Sequence, residues 1–305
     1  MSAAGAVSGG WREGPVATLT PDGTRPRLMH GPIDLILLAE GPEISVRMAH
    51  RRAWERFRTI LEELVAELPA LRAPAHPGGP AMRGAVARRM AAATAPHAAA
   101  GFVTPMAAVA GAVADEVLGA MATVAGLTRV AVNNGGDIAL MLAPGTGFRA
   151  AMADMRGPGL GAVEIAAAQL PPHGRGGIAT SGWRGRSHSL GIADAVTVVA
   201  RSAAAADAAA TLIANAVDLP GHPAIRREPA AALAPDSDLG DRAVVTAVGP
   251  LAPADRQAAL AAGLARAEAM AGAGLIHAAS LHLGGDAVET TPAPALPGGA
   301  NEPES

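Results

Sequence analysis

Apolar and polar positions change period repeatedly along the chain, and each change predicts an element. VATLT (16–20) and DLILLAEG (34–41) are β-prone runs separated by the turn signal PDGT. From Ile44 to Leu68 apolar residues recur at helical spacing, which predicts one helix ending before Pro69. Its basic residues come first and its acids last, against the preference of the helix dipole, and its charged side reads as a solvated face. A Pro/Gly-rich connector, PALRAPAHPGGPAMRG, follows, and then MAAVAGAVADEVLGAMATVA (106–125), a second helix of small residues suited to close packing. RVAVNNGGDIALML (129–142) reads as strand, tight turn, strand, and RAAMADM (149–155) as a β-prone run before a glycine-rich loop. GIATSG (177–182) and AVTVVA (195–200) are strands around a polar loop. AAAADAAATLIANAV (203–217) then predicts an Ala-rich helix. RAVVTAV (242–248), PADRQAALAAGLARAEAMAGAG (253–274) and LIHAASLHLGG (275–285) predict a strand, a helix and a last strand. From Asp286 the Pro/Gly-rich remainder predicts a disordered tail over 286–305.

This irregular interleaving predicts an α+β chain, with a mixed or antiparallel sheet packed against long Ala-rich helices. Residues 1–285 are expected to form a single domain, with room for two subdomains. NGGD and LGGD occur at 134–137 and 283–286 without a wider repeat around them.

Composition narrows the function classes. Half of the 305 residues are apolar, which fits a globular chain with a sizeable core. A net charge of −3 and 2% aromatic residues argue against nucleic acid and anionic lipid as partners. Cysteine is absent, which excludes disulfides, thiolate metal sites and Cys nucleophiles. The N-terminus has no signal-peptide pattern, and the uncharged run 91–114 is interrupted by Pro96, His97, Gly101 and Pro105. A cytoplasmic protein without a membrane span is expected, and the apolar content is compatible with a homo-oligomer.

Three stretches can carry chemistry. In the Ala-rich helix, Asp207, Thr211 and Asn215 recur at intervals of four, so they share one helix face. A hard carboxylate above a hydroxyl suits Mg²⁺ held jointly with substrate phosphates; alternatively, Asp207 complements the helix start and Thr211 back-bonds to its own helix. VNNGGDI reads as a hairpin turn or as a phosphate cradle closed by Asp137. The loop GWRGRSHS concentrates polar groups: Arg184 and Arg186 can pair with phosphate, and His188 can act as a general base. Trp183 has two available roles, stacking on a ligand ring or packing in the core.

TPMAAVAGAVAD, VNNGGDI, GIATSG, SHS…ADAVTVVA and ADAAATLI occur in this order over roughly residues 100–217. The series resembles the ApbE-like superfamily, whose best-known members are Mg²⁺-dependent FAD:protein FMN transferases. The wording RSHSLGIADAVTV and TPMAAVAGAVAD is closer to its cytoplasmic branch, the UPF0280 family. The resemblance implies an ApbE-like fold, with Asp207, Thr211 and the carbonyl of Ala107 as Mg²⁺ ligands and His188 as the base toward the acceptor hydroxyl. It implies FAD as substrate or ligand, beside Asn134, Gly135, Gly136 and Asp137 of the glycine turn and Thr180, Ser181 and Gly182 of the neighbouring strand. It also implies an acceptor protein, and water as acceptor would make the activity FAD pyrophosphatase; the rival reading is a non-catalytic flavin-binding or assembly protein serving a cytoplasmic oxidoreductase. The chain departs from the family pattern where the AKG lysine becomes Ala110 and where HSLG replaces the H-x-x-D aspartate. The aspartate and glycine that open the lysine segment are Thr104 and Met106.

Overall fold

The computed structural model describes residues 14–76, 81–153, 160–166, 174–185 and 187–290. The chain opens with β1 (Val16–Leu19), β2 (Pro26–His30) and β3 (Ile33–Glu40). Helices α1 (Glu43–Phe57), α2 (Ile60–Ala66), α3 (Leu68–Leu71) and α4 (Ala85–Thr94) follow. Two 3₁₀ turns lead to α5 (Val109–Met121), β4 (Arg129–Asn134), β5 (Asp137–Leu142), β6 (Gly147–Ala153) and β7 (Leu160–Ala166). Next come β8 (Arg175–Ser181), β9 (Ala195–Ala200), α6 (Ala203–Ala216), β10 (Ile225–Pro229), α7 (Ala230–Leu233) and β11 (Ala243–Val248). The long helix α8 (Pro253–Gly272) precedes β12 (Ala278–Leu283) and β13 (Asp286–Glu289).

Nine strands form one sheet in the order β1-β2-β3-β4-β5-β8-β9-β12-β13, and every neighbouring pair is antiparallel. The fold is α+β, and its sheet is wholly antiparallel rather than mixed. β6–β7 and β10–β11 are separate two-stranded ribbons.

Two helices place the site. α5 packs on β4 and β5, α6 packs on β8 and β9, and the two helices pack against each other. Their small residues permit this approach. A Cβ at Gly111 of α5 would lie 2.2 Å from the Ala203 carbonyl oxygen, and one at Gly177 of β8 would lie 2.1 Å from the Ala203 nitrogen. The start of α6 is therefore wedged between a helix and a strand that each offer a glycine. One apolar cluster lies under α1, α2, α4 and α5, with Phe57, Met90 and Leu35 fully buried. A second lies under α6 and α8, with Ile192, Ile213 and Leu281 fully buried.

The expected helix over 44–68 is divided, because the α1 and α2 segments stop and restart around Arg58 and Thr59. The division removes the conflict with the dipole. Arg56 falls in the last turn of α1, whereas Glu62 and Glu63 fall in the first turn of α2. The charges are also more than a solvated face, since Arg56 bridges Glu63 of α2 and Glu116 of α5. The expected tail likewise begins too early. Asp286–Glu289 pair with β12, and Thr290 accepts a 2.9 Å hydrogen bond from Ala279 N through its hydroxyl. Residues 291–305 lie outside the described residues. Among the described residues no helix is long and apolar enough to cross a membrane.

Candidate functional site

The start of α6 is held from two sides. Ser202 accepts a hydrogen bond from Ala205 N at 3.2 Å, the N-cap arrangement that satisfies one free amide. The buried Asp115 of α5 accepts from Ala203 N at 3.0 Å and from Ala204 N at 2.9 Å. With the first turn so fixed, Asp207 emerges one turn later against the start of α5, where it accepts from Gly111 N at 3.0 Å.

Asp207 lies on a cavity of about 310 Å³, which Ala107, Asp137, His188, Thr211, Asn215 and Asp238 also line. The resemblance assigned the metal to Asp207, Thr211 and Ala107 and the base to His188, and the fold brings all four to this one cavity with Asp137. Thr211 Oγ1 makes no hydrogen bond among the described residues, so the back-bonded alternative does not describe it. The segment 234–242 closes another side. Asp238 accepts from the buried Thr104 hydroxyl, and the Arg242 guanidinium lies 3.2 Å from the centre of the Phe102 ring.

The carboxylates do not sit as ordinary surface acids. Burial pushes Asp207 well above the usual carboxylate range, the neighbouring Asp137 charge adds to the rise, and the Gly111 and Ala110 N–H groups oppose it. Burial likewise pushes Asp137 up to about 7, against the Thr180 N–H that approaches it. No Lys or Arg stands among the described lining residues, although Asp137, Asp207 and Asp238 do. Two facing carboxylates that resist ionising together form an environment that a divalent cation would discharge. Among the described residues no cluster of three or more His, Asp or Glu side chains could hold a metal. The donors that the resemblance names are instead the Asp207 carboxylate, the Thr211 hydroxyl and the main-chain carbonyl of Ala107, all on lining residues. That hard-oxygen set fits Mg²⁺, which uses few protein ligands and keeps places for water and phosphate.

The other expected flavin residues stand behind the lining. Gly135 and Gly136 form the β4–β5 turn at φ of 65° and 117°, with Gly136 N donating to Asn133 Oδ1 at 2.8 Å. Asn134 is buried and donates to the Ala110 carbonyl at 3.1 Å, which ties the turn to α5. Thr180 meets Thr197 hydroxyl to hydroxyl at 2.9 Å, and its N–H points at Asp137. Ser181 ends β8, and a Cβ at Gly182 would lie 2.3 Å from the Asp194 carbonyl oxygen. Arg184 does not reach the cavity lining; it donates to Asp194 at 3.1 Å and lies 4.5 Å from the centre of the Trp183 ring. Trp183 itself packs against the α6–α8 cluster. Arg186 lies outside the described residues.

Sequence reasoning missed Asp115 and Asp238. Asp115 had a signal, since it and Glu116 are the two carboxylates on an otherwise small and apolar helix. Asp238 had none, because it sits in an aperiodic Pro/Asp-rich stretch whose partner, Thr104, is distant in the chain.

Comparison with known proteins adds lineage to this geometry. The profile described as AbpE bacteria matches residues 17–289. The chain belongs to this family. Among its relatives, the UPF0280 protein of Methanosphaerula palustris is 36% identical over 184 residues, covering 57% of this chain and 73% of the relative. The UPF0280 protein of Methanoregula boonei is 36% identical over 176 residues, covering 55% and 68%. This AbpE-family chain also aligns with the apo flavinyl transferase ApbE of Pseudomonas stutzeri, at 14% identity and a TM-score of 0.41. That alignment covers 90% of this chain and 93% of the other.

Proposed function

We propose that this AbpE-family protein binds FAD with Mg²⁺ and transfers FMN to a threonine or serine hydroxyl of an acceptor protein. The observation that carries the proposal is the pairing of Asp207 and Asp137 in a cavity whose described lining has no basic side chain other than His188. A diphosphate could approach those carboxylates only with a cation between them. Mg²⁺ held by Asp207, Thr211 and the Ala107 carbonyl would neutralise the diphosphate and the charge that develops on the leaving phosphate.

The chain's own groups supply the rest. His188, exposed at the cavity and within its lining, would take the proton as the acceptor hydroxyl oxygen bonds to the FMN phosphorus. The bond from that phosphorus to the bridging oxygen breaks, and AMP leaves with the bond's electron pair. The β4–β5 turn and the end of β8 would hold the flavin side by fixing Asp137 and the backbone around it.

A second reading draws on Ala110, which stands where the transferases carry a lysine: a flavin-binding or assembly protein without turnover, serving an oxidoreductase. Mass analysis of a candidate acceptor after incubation with FAD and Mg²⁺, alongside AMP release, separates the two. Transfer predicts an FMN adduct and AMP from the parent and neither from Asp207→Ala. FAD binding without AMP release, or AMP release that survives Asp207→Ala, would contradict it.

A further inference from the structure

Asn215 completes the polar stripe of α6, yet its main bonds run to another segment. Its Oδ1 accepts from Leu190 N at 2.9 Å and from the Ser189 hydroxyl at 3.4 Å. Both residues follow His188 directly. The same segment is held at almost every other backbone group. Val245 N donates to Ser189 O at 2.9 Å, Ser189 Oγ accepts from Gly191 N at 3.2 Å, and Ile192 N donates to Val217 O at 2.8 Å. Leu190 O accepts from Arg227 of β10, whose other terminal nitrogen is paired with Asp218 just beyond α6. Gly191 lets the segment lie on the helix, because a Cβ there would be 2.1 Å from Ala214 O.

The imidazole of His188, by contrast, makes no hydrogen bond among the described residues. Among the described residues no side-chain partner fixes the ring, so its place at the cavity is set through its backbone. We infer that Asn215 and Arg227 are positioning residues that grip Leu190 at its N–H and its carbonyl and so hold His188 at the cavity. The consequence for turnover rests on the proposed role of His188 as the base, whereas the positioning itself does not. The polar stripe then divides by function. Asp207 and Thr211 face the cation, and Asn215 aims the group that takes the proton.

The test uses the full chain with ¹³C-labelled histidine and follows the His188 Cε1–H signal, assigned through His188→Gln. Asn215→Leu, which removes the acceptor at similar volume, should broaden or split that signal while the other histidines keep their line shapes. Asn215→Asp retains an acceptor for Leu190 N and should keep the signal single and sharp, judged by line shape rather than position. Arg227→Gln should reproduce the Asn215→Leu result from the opposite side of Leu190, and it decides the matter if Asn215→Leu does not fold. In an AMP-release assay, Asn215→Leu and Arg227→Gln should lower kcat by about ten- to a hundredfold with KM within about twofold. A sharp, unmoved His188 signal in both variants would overturn the inference. So would broadening of all histidines together, which marks a merely structural role. If the His188 signal responds as expected but His188→Gln leaves turnover intact, positioning stands and the assignment of the base fails.

Discussion

Asp137 and Asp207 reach one cavity from different elements, β5 and α6, and among the described lining residues neither has an Arg or Lys partner. The folded state holds Asp137 up near 7, against an ordinary value of 3.8. A carboxyl raised in this way keeps its proton in the folded protein where the unfolded chain has lost it. Stability without metal should therefore fall as pH rises from about 4 through about 7. Asp137→Asn stays neutral throughout, so at pH 8 it should be more stable than the parent by the order of a few kcal/mol, with the difference shrinking toward pH 5. Thermal unfolding at both pH values checks this, and parallel pH curves for variant and parent would refute it. Thr211 gives a cleaner contrast. Its hydroxyl has no partner among the described residues, so Thr211→Val should change stability by less than about 0.5 kcal/mol while weakening Mg²⁺ binding. Calorimetric Mg²⁺ titration beside thermal unfolding would separate the two effects. The sequence made Asp207 and Thr211 legible because helical period fixes a shared face from spacing alone. It could not show that Asp137 faces Asp207, since that meeting depends on the order of β5, β8 and β9 beneath α6.

The contact of α5 with α6 transmits the sheet's geometry to the site. Asp115 anchors the first turn of α6 from α5, and Gly111 and Gly177 leave no space for a methyl group beside Ala203. Asp115→Ala should destabilise by about 1–3 kcal/mol, because it strips two buried amides of their acceptor. Gly177→Ala should cost at least as much, since overpacking against backbone has no flexible side chain to absorb it. Urea midpoints measure both; a change below about 0.5 kcal/mol in either would mean that α6 is held elsewhere. Elements with a sustained period were readable, including α5, α6, α8 and the β4–β5 hairpin. β2, β7 and β13 are short or lie beside turn residues, and they gain their strand character from the neighbour they pair with rather than from their own pattern. The split between α1 and α2 was written in the charges: bases followed by acids contradict one helix dipole and satisfy two.

The nine-stranded antiparallel sheet, the apolar clusters packed on it and a cavity beside the α5–α6 contact make a molecule in which residues from β5, α6, the segment before α5, the His188 segment and the β10–β11 connection share one space. Membership of the AbpE bacteria family matches the motif order seen along the chain, but the cavity departs from a lysine-bearing site at Ala110. On the proposed function, the metal would carry the whole electrostatic task of binding a diphosphate without that cation. Titration of the purified protein with FAD, followed by flavin fluorescence with and without Mg²⁺, tests this most directly. The account predicts binding that requires Mg²⁺ and is lost in Asp207→Asn. Equally tight binding without Mg²⁺, or binding that survives Asp207→Asn unchanged, would contradict it.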